Sequence, residues 1–230
     1  MHIPDGYLGP PTYGGLWAAM AGIWYLAARR VKKALKATEV PLLALGAALS
    51  FVIMMFNVPM AGGTSGHATG TALLAITLGP WAAVIAVSIA IFVQAFLFGD
   101  GGITALGANC FNMAFAGAMV SCAVYRLITG WGGQKNPVPG KKTLLASALA
   151  GYAGLNASAL LASVELGLQA ALHRGADGRP LYCPFPLGVT VPTIMAGHLA
   201  VFGPLEAVFT MFAVAYLEKA YPELLRRRTA

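Results

Sequence analysis

The first two residues, Met1 and His2, carry the nitrogen donors of a compact metal chelate. The terminal α-amine, the peptide nitrogen of His2 and its imidazole Nδ1 can close a five-membered and a six-membered ring around one ion. The three nitrogens then lie nearly in a plane, an arrangement that suits Ni(II) and Cu(II), both of which bind imidazole. Each donor must lose its proton to bind, so affinity is expected to fall as pH falls. One corner of the plane stays open for a fourth ligand.

The residues that follow predict a turn that makes this tail rigid. In Ile3-Pro4-Asp5-Gly6, proline at the second position and glycine at the fourth are typical of a β-turn, and proline restricts φ. Asp5 is expected to serve the turn, with a hydrogen bond that supports the metal ligands as the alternative.

The best candidate for the fourth ligand is His67, which follows the glycine-rich segment GGTSG. Glycines let the backbone approach a buried site closely, and Thr64 and Ser65 add polar partners. Asn57 and Asp100, in the loops on either side, are candidates to orient these groups by hydrogen bonds. A histidine near a terminus or in a loop is also compatible with a solvated side chain. The residues alone therefore leave the metal site open.

Long apolar runs predict an all-α polytopic membrane protein of about seven transmembrane helices in one bundle. The spans are expected at 13–29, 39–60, 66–79, 80–98, 103–128, 142–172 and 189–219. The third is short and rich in Gly and Thr, and Pro204 is expected to kink or divide the seventh. Residues 1–230 are predicted to form a single domain, in which a chelating tail, 1–12, precedes the helical bundle, 13–221.

The placement of the basic residues predicts the orientation of the bundle. All but two of the 15 Lys and Arg residues face the cytoplasm if the N-terminus is extracytoplasmic and the C-terminus cytoplasmic. The tail then meets loops 57–71 and 99–102 at the outer face. The first apolar run has no basic residues before it and no small-residue cleavage site after it, so Met1 is expected to be the mature N-terminus.

The composition excludes several classes of function. The chain is 58% hydrophobic and only 10% charged, too few charges for the surface of a soluble domain of this size. Its net charge is +7, but the basic residues cluster between apolar runs and form no basic face with interleaved aromatics, which argues against nucleic-acid binding. Three widely spaced cysteines predict neither a disulfide framework nor a CxxC metal site.

Three segments, MHIPDGYLGP, GGTSGHATGTALLAITLGPWAA and FLFGDGGITALGANCFNMA, resemble the CbiM/NikM family, the substrate-binding membrane subunits of energy-coupling-factor transporters for cobalt and nickel. The resemblance covers nearly the whole chain and weakens in 131–188. It implies a seven-helix bundle in the bacterial cytoplasmic membrane. It also implies a planar site made of the Met1 amine, the amide and imidazole nitrogens of His2, and His67.

The resemblance also bears on the substrate and on the partners. Family members with Met-Glu in place of Pro4-Asp5 tend towards cobalt, so Ni(II) is the first choice of transported substrate and Co(II) the alternative. The implied partners are a membrane coupling subunit, cytoplasmic ATPase subunits and a small accessory membrane subunit. The sequence has no G-x-x-x-x-G-K-[ST] motif, so the chain is expected to be no enzyme and to depend on partners for ATP hydrolysis.

Two other functions compete with metal uptake. A membrane-embedded metal-dependent enzyme would need a nearby base and an open coordination position, but the sequence has neither HExxH nor GxSxG. An organic-substrate subunit of the same transporter class would need aromatic groups in a roomy outer pocket. Trp17, Trp24 and Tyr25 are the candidates, although interfacial or packing roles also suit them.

Overall fold

The computed structural model describes residues 1–36, 39–130 and 140–226. Its helices are α1 (Pro10–Ala34), α2 (Val40–Met54), α3 (Thr71–Thr77), α4 (Pro80–Val93), α5 (Leu106–Asn109), α6 (Gly117–Thr129), α7 (Lys141–Leu172), α8 (Leu187–Gly197), α9 (Gly203–Ala220) and α10 (Pro222–Arg226). Three π-helical segments continue or join them: Gln94–Phe98 extends α4, Cys110–Ala116 joins α5 to α6, and His198–Phe202 joins α8 to α9.

Within the described residues, four continuous helical stretches are long and apolar enough to cross a membrane. They are Pro80–Phe98, Leu106–Thr129, Lys141–Leu172 and Leu187–Ala220. Helix α2 is a shorter apolar helix, and α1 is 25 residues long. These stretches are those of a helical membrane protein, while the count of seven spans and the orientation stay predictions.

The third predicted span, 66–79, contains a helix of only seven residues, α3. At 1.5 Å per residue this helix is about 10 Å long, a third of the hydrocarbon thickness. Extended backbone precedes it, and nearly every residue from 66 to 78 is buried by protein. Non-helical backbone is tolerated at membrane depth only where protein or water covers it. The Gly/Thr-rich composition of this segment therefore corresponds to a broken element.

Prolines mark two of the helix boundaries. Helix α4 begins at Pro80, where the missing N–H would have no partner in the first turn anyway. The last span is interrupted at His198–Phe202, directly before α9 begins at Gly203 and Pro204. The break expected at Pro204 is thus present, in the form of a π-helical turn.

Helix α7 lies at the centre of the bundle and packs against α6, α8 and α9. Small residues recur at every fourth position on its buried side: Ala146, Ala150, Gly154, Ser158 and Ala162. This spacing places them on one face, where they let neighbouring helix backbones approach closely.

One element departs from the all-α prediction. Strands β1 (Val58–Met60) and β2 (Thr64–Gly66) form an antiparallel hairpin in which Met60 pairs with Thr64. Its connection contains Gly63 with φ of +89°, a conformation that favours glycine. A hairpin of three-residue strands has no useful hydrophobic period, so the sequence pattern does not indicate it.

Candidate metal centre

The N-terminal tail is buried among the loops at one end of the bundle. Met1 and Ile3 are fully buried, and His2 is 3% exposed. Asn109 holds the tail by two hydrogen bonds: Ile3 N donates to Asn109 Oδ1 at 2.8 Å, and Asn109 Nδ2 donates to Ile3 O at 3.1 Å. The backbone of Gly102 also donates to Ile3 O, at 2.9 Å. Both backbone polar groups of Ile3 are therefore paired.

The Asp5 carboxylate ties the tail to the loop before α5. It accepts hydrogen bonds from Ile103 N at 3.0 Å, from Thr104 N at 2.8 Å and from the Thr104 hydroxyl. Partial burial opposes ionisation of Asp5, but these hydrogen bonds outweigh burial and lower its pKa. The expectation that Asp5 mainly serves its own turn needs this correction, because its side-chain partners lie about 100 residues further along the chain. Gly102 leaves space for this contact: a Cβ there would lie 2.4 Å from Asp5 N.

The β1–β2 hairpin and the extended segment after it position His67, which is fully buried. His67 Nδ1 lies 3.0 Å from the carbonyl oxygen of Ala68. A donor bond from Nδ1–H to that oxygen places the lone pair on Nε2, the nitrogen that faces the tail. From the other side, the Glu206 carboxylate accepts hydrogen bonds from Thr69 N at 2.7 Å and Gly70 N at 3.1 Å. Helix α9 thus holds the segment that carries His67.

The Met1 amine and His67 Nε2 are 2.9 Å apart. Two cis ligands at a metal–nitrogen distance of about 2.0 Å would lie about 2.8 Å apart on a square plane. The amine also donates to the carbonyl oxygen of Ser65, and it lies 3.2 Å from Ser65 Oγ. The His2 and His67 rings are stacked, with centroids 4.7 Å apart and planes inclined by 21°. The spacing of the amine and Nε2 is that of two neighbouring ligands of one small ion.

The His2 imidazole is buried without a hydrogen-bond partner among the described residues, at Nδ1 or at Nε2. Nδ1 is 3.3 Å from Asp100 Oδ1, and Asn57 Nδ2 donates to the other Asp100 oxygen at 2.7 Å. The carbonyl oxygen of His2 accepts a hydrogen bond from Thr64 Oγ1 at 2.9 Å. A buried polar atom without a partner is costly and indicates a site for a ligand or an ion. The residues expected to support the ligands all lie at this centre. Thr64, Ser65 and Asp100 contact Met1 or His2, Asp5 binds the loop before α5, and Asn57 binds Asp100.

Burial keeps the nitrogen donors neutral. It lowers the pKa of the Met1 amine to about 4, although the Asp100 carboxylate opposes the shift. Burial, and then the nearby amine, lowers the pKa of the His2 imidazole to about 3. Burial also raises the pKa of Asp100. At neutral pH the amine and the imidazole thus present lone pairs, as metal ligands must.

Other candidate donors lie apart from this centre. The three cysteines are buried and free. His173 packs against Gly9 and stacks edge-on with Tyr182. In the part of the chain that the structure describes, no group of three His, Cys, Asp or Glu side chains is placed to hold a metal.

Two residues of this centre were not expected from the sequence. Asn109 pairs with the tail backbone, and Gln94 lies beside His2 with a fully buried amide. Gln94 is the first residue of the π-helical segment that extends α4, and Asn109 directly precedes the π-helical segment that joins α5 to α6. Such segments are frequent at functional sites. Their one signal in the sequence is polarity inside an apolar run, which by itself also fits interhelical hydrogen bonding.

Two curated relatives show where this chain is similar to known proteins. The fused nickel transport protein NikMN of Rhodobacter capsulatus is 50% identical over 230 residues, which are 100% of this chain and 65% of that protein. The chain therefore spans slightly less than two thirds of that relative's length. The cobalt transport protein CbiM of a Roseiflexus species is 38% identical over 154 residues, 65% of this chain and 59% of its own length.

Solved structures and a family model agree with the sequence relatives. The crystal structure of a transition metal transporter superimposes with a TM-score of 0.89 at 50% identity, over 95% of this chain and 93% of the other. The family model described as the cobalt uptake substrate-specific transmembrane region matches residues 2–224. The resemblance seen in the sequence is thereby confirmed, and the chain belongs to the CbiM family.

Proposed function

We propose that the chain captures Ni(II) for uptake and holds it with four nitrogens: the Met1 amine, the His2 peptide nitrogen, His2 Nδ1 and His67 Nε2. The observation that carries the proposal is the 2.9 Å approach of the amine to His67 Nε2 in a buried place. Two neutral nitrogen groups that face each other there, beside an imidazole that lies 3.3 Å from the Asp100 carboxylate, suit a positive ion better than they suit each other.

Nickel is preferred over cobalt because four nitrogens in a plane suit a d⁸ ion. The curated relative of 50% identity is named for nickel, and another is named for cobalt, so Co(II) is the alternative substrate. The Pro4-Asp5 pair supports nickel through geometry. Asp5 ties the turn to Thr104, and Asn109 holds Ile3, so the first two residues are placed before the ion arrives.

The remaining assignments complete this proposal. The tail, 1–12, and the bundle, 13–221, act as one domain with about seven spans, an extracytoplasmic N-terminus and a cytoplasmic C-terminus, in the bacterial cytoplasmic membrane. Residues 1–12 then close an outward-facing pocket. A membrane coupling subunit and cytoplasmic ATPase subunits, with a small accessory membrane subunit, drive release of the ion into the cell. The chain itself is no enzyme, because the partner subunits hydrolyse ATP.

A metal-dependent enzyme remains a weaker candidate. Four nitrogens in a plane leave no strongly activated water, and the nearest carboxylate, Asp100, is already bonded to Asn57. An organic substrate is disfavoured because Trp17 and Trp24 pack against the core, while Tyr25 is 64% exposed, which does not suit the wall of an enclosed pocket. Trp17 and Trp24 form an edge-on pair, and each indole N–H donates a hydrogen bond, to Thr104 O and Ser88 Oγ respectively.

Proton release tests whether the tail is docked before the ion binds. The docked amine and imidazole are already in their neutral forms at pH 7. Ni(II) should therefore displace about one proton, that of the His2 peptide N–H. A tail free in solvent, with an amine pKa near 8, would release about two. Calorimetry in buffers of different ionisation enthalpy measures this number. The undocked tail binds more protons between about pH 8 and pH 4, so docking should weaken as pH falls through that range. A release of two protons at pH 7 would contradict pre-docking.

The spin state of bound nickel tests the proposed function most directly. Protein purified with an untouched N-terminus is loaded with one equivalent of Ni(II). A planar set of four nitrogens gives a yellow, diamagnetic complex with sharp proton NMR lines. A paramagnetic, octahedral complex would rule out the planar site. Zinc with a bound water as the metal in the purified protein would favour the enzyme instead.

A further inference from the structure

A cavity separate from the metal centre lies at the opposite end of the bundle from the tail. It has a volume of ≈ 290 Å³, and its lining includes Arg30, Arg126 and Trp81. Arg30 stacks over the Trp81 ring, with Cζ 4.7 Å from the ring centroid. The cavity thus combines two guanidinium groups with an aromatic wall.

Helix lengths place this cavity at the level of lipid headgroups. Arg30 lies 20 residues after Pro10, the start of α1, which corresponds to about 30 Å at 1.5 Å per residue. The continuous helical stretch Leu106–Thr129 carries both Asn109, which holds the tail, and Arg126. These two residues are about 25 Å apart by the same measure. The hydrocarbon core of a bilayer is about 30 Å thick. If the tail lies at one interface, both arginines therefore lie at the other.

The charge of the cavity is not balanced by the described side chains. Neither Arg30 nor Arg126 forms an ion pair with any residue in 1–36, 39–130 or 140–226. One acid, Glu39, lines the cavity and accepts a hydrogen bond from Lys36 N at 2.9 Å. Two arginines against one carboxylate leave a net positive cavity, and guanidinium groups bind phosphate oxygens in pairs of hydrogen bonds.

An apolar groove adjoins this cavity. It has a volume of ≈ 750 Å³ and is lined mainly by leucines of α2, α3 and α9. Leu78 lines both the groove and the arginine cavity. A positive pocket at headgroup depth beside an apolar groove matches a molecule with a phosphate at one end and a hydrocarbon chain at the other.

We propose that this cavity binds an anionic phospholipid, with its phosphate between Arg30 and Arg126 and an acyl chain along the Leu78 groove. Trp81 and Arg30 form the wall against which the glycerol region packs. The site is separate from the metal centre, so the lipid should bind whether or not Ni(II) is present.

Lipid retention in a matched pair of variants tests the site. The double variant R30Q/R126Q removes both guanidinium groups. The control R29Q/K33Q also removes two positive charges and keeps both cavity arginines, since Arg29 stacks over Tyr25 with Cζ 5.6 Å from its ring and Lys33 does not line the cavity. Each protein is reconstituted in nanodiscs of equal phosphatidylglycerol and phosphatidylcholine, extracted in mild detergent and weighed by native mass spectrometry. Phosphatidylglycerol should be enriched on the native chain and the control, and about 30-fold less on R30Q/R126Q.

Further experiments distinguish a whole phospholipid from a free phosphate group as the ligand of this cavity. Inorganic phosphate and glycerol 1-phosphate are added to delipidated protein, and thermal unfolding is compared with that in phosphatidylglycerol micelles. The proposal expects stabilisation by the lipid alone, lost in R30Q/R126Q. Equal stabilisation by free phosphate, or equal retention of phosphatidylglycerol by R30Q/R126Q and the control, would overturn it. Ni(II) affinity is measured on the same samples and should stay unchanged, which keeps this test independent of the metal site.

Discussion

The dipeptide Ala-Pro added before Met1 is expected to abolish tight Ni(II) binding while the protein still folds. The Met1 nitrogen would become an amide, and the added proline has no N–H through which the new amine could rebuild the chelate. A single added alanine would not test the site, because Ala-Met-His itself offers an amine, two amides and an imidazole to planar Ni(II). Four-ligand sites in small metal domains bind with roughly 10–16 kcal/mol, so one ligand corresponds to about 3–4 kcal/mol and its loss to about 100- to 1000-fold in affinity. The added residues also have no space, because Met1 is fully buried and its amine contacts Ser65 and His67. The expected loss is therefore at the upper end of this range.

The measurement is competition calorimetry with a chelator of known affinity, on protein whose terminus is verified by mass spectrometry. Enzymatic or chemical Nα-acetylation provides an independent block of the same atom and should give the same loss. A matched control is the dipeptide Ala-Pro inserted after Asp177, in an exposed loop whose Asp177 and Arg179 side chains are largely in solvent. Unchanged affinity in both blocked proteins would remove the amine from the site, and with it the proposed mechanism.

Substitution of His67 by alanine is expected to weaken Ni(II) binding by about 100- to 1000-fold, since it removes one of four ligands. The three donors of Met1 and His2 remain, so residual binding should persist with water as the fourth ligand. The visible absorption band should then shift to longer wavelength, because oxygen is a weaker-field ligand than imidazole. Titration followed by absorption spectroscopy reports both effects on one sample.

His173→Ala is the control for this substitution. His173 also packs against the tail, at Gly9, yet it contributes no nitrogen to the proposed plane. Equal losses in the two variants would mean that His67 acts by packing and not as a ligand. Because His67 stacks on His2, each variant is first checked for helicity and for the same elution volume as the native chain in detergent.

The chelate itself could be inferred from the sequence because its donors are adjacent. The amine, the peptide nitrogen and the imidazole of Met1 and His2 are joined by covalent bonds, so their relative geometry hardly depends on the fold. The apolar runs likewise follow from composition and length. His67 is different, since 65 residues separate it from His2. The glycine-rich loop before it made it a candidate, and the family resemblance carried by GTSGH implies its role as a ligand.

The partners of the tail were decided only by tertiary structure. Asp5 accepts a hydrogen bond from Thr104, and Ile3 donates one to Asn109. The segment that carries His67 donates one to Glu206. Such contacts join single polar residues that are distant in sequence and leave no periodic pattern. The same holds for the span 66–79, whose composition suggests a membrane crossing but which contains only the seven-residue helix α3 and is buried by protein.

The sequence by itself therefore determined the class of protein, most helix positions and the three nitrogens at the terminus. Hydrophobic period, proline position and covalent connectivity are local properties, and each acts on its own stretch of chain. The tertiary structure alone decided where the terminus lies. That position depends on burial of Met1 and on hydrogen bonds with Thr64, Ile103 and Asn109, all of which exist only when the bundle is assembled.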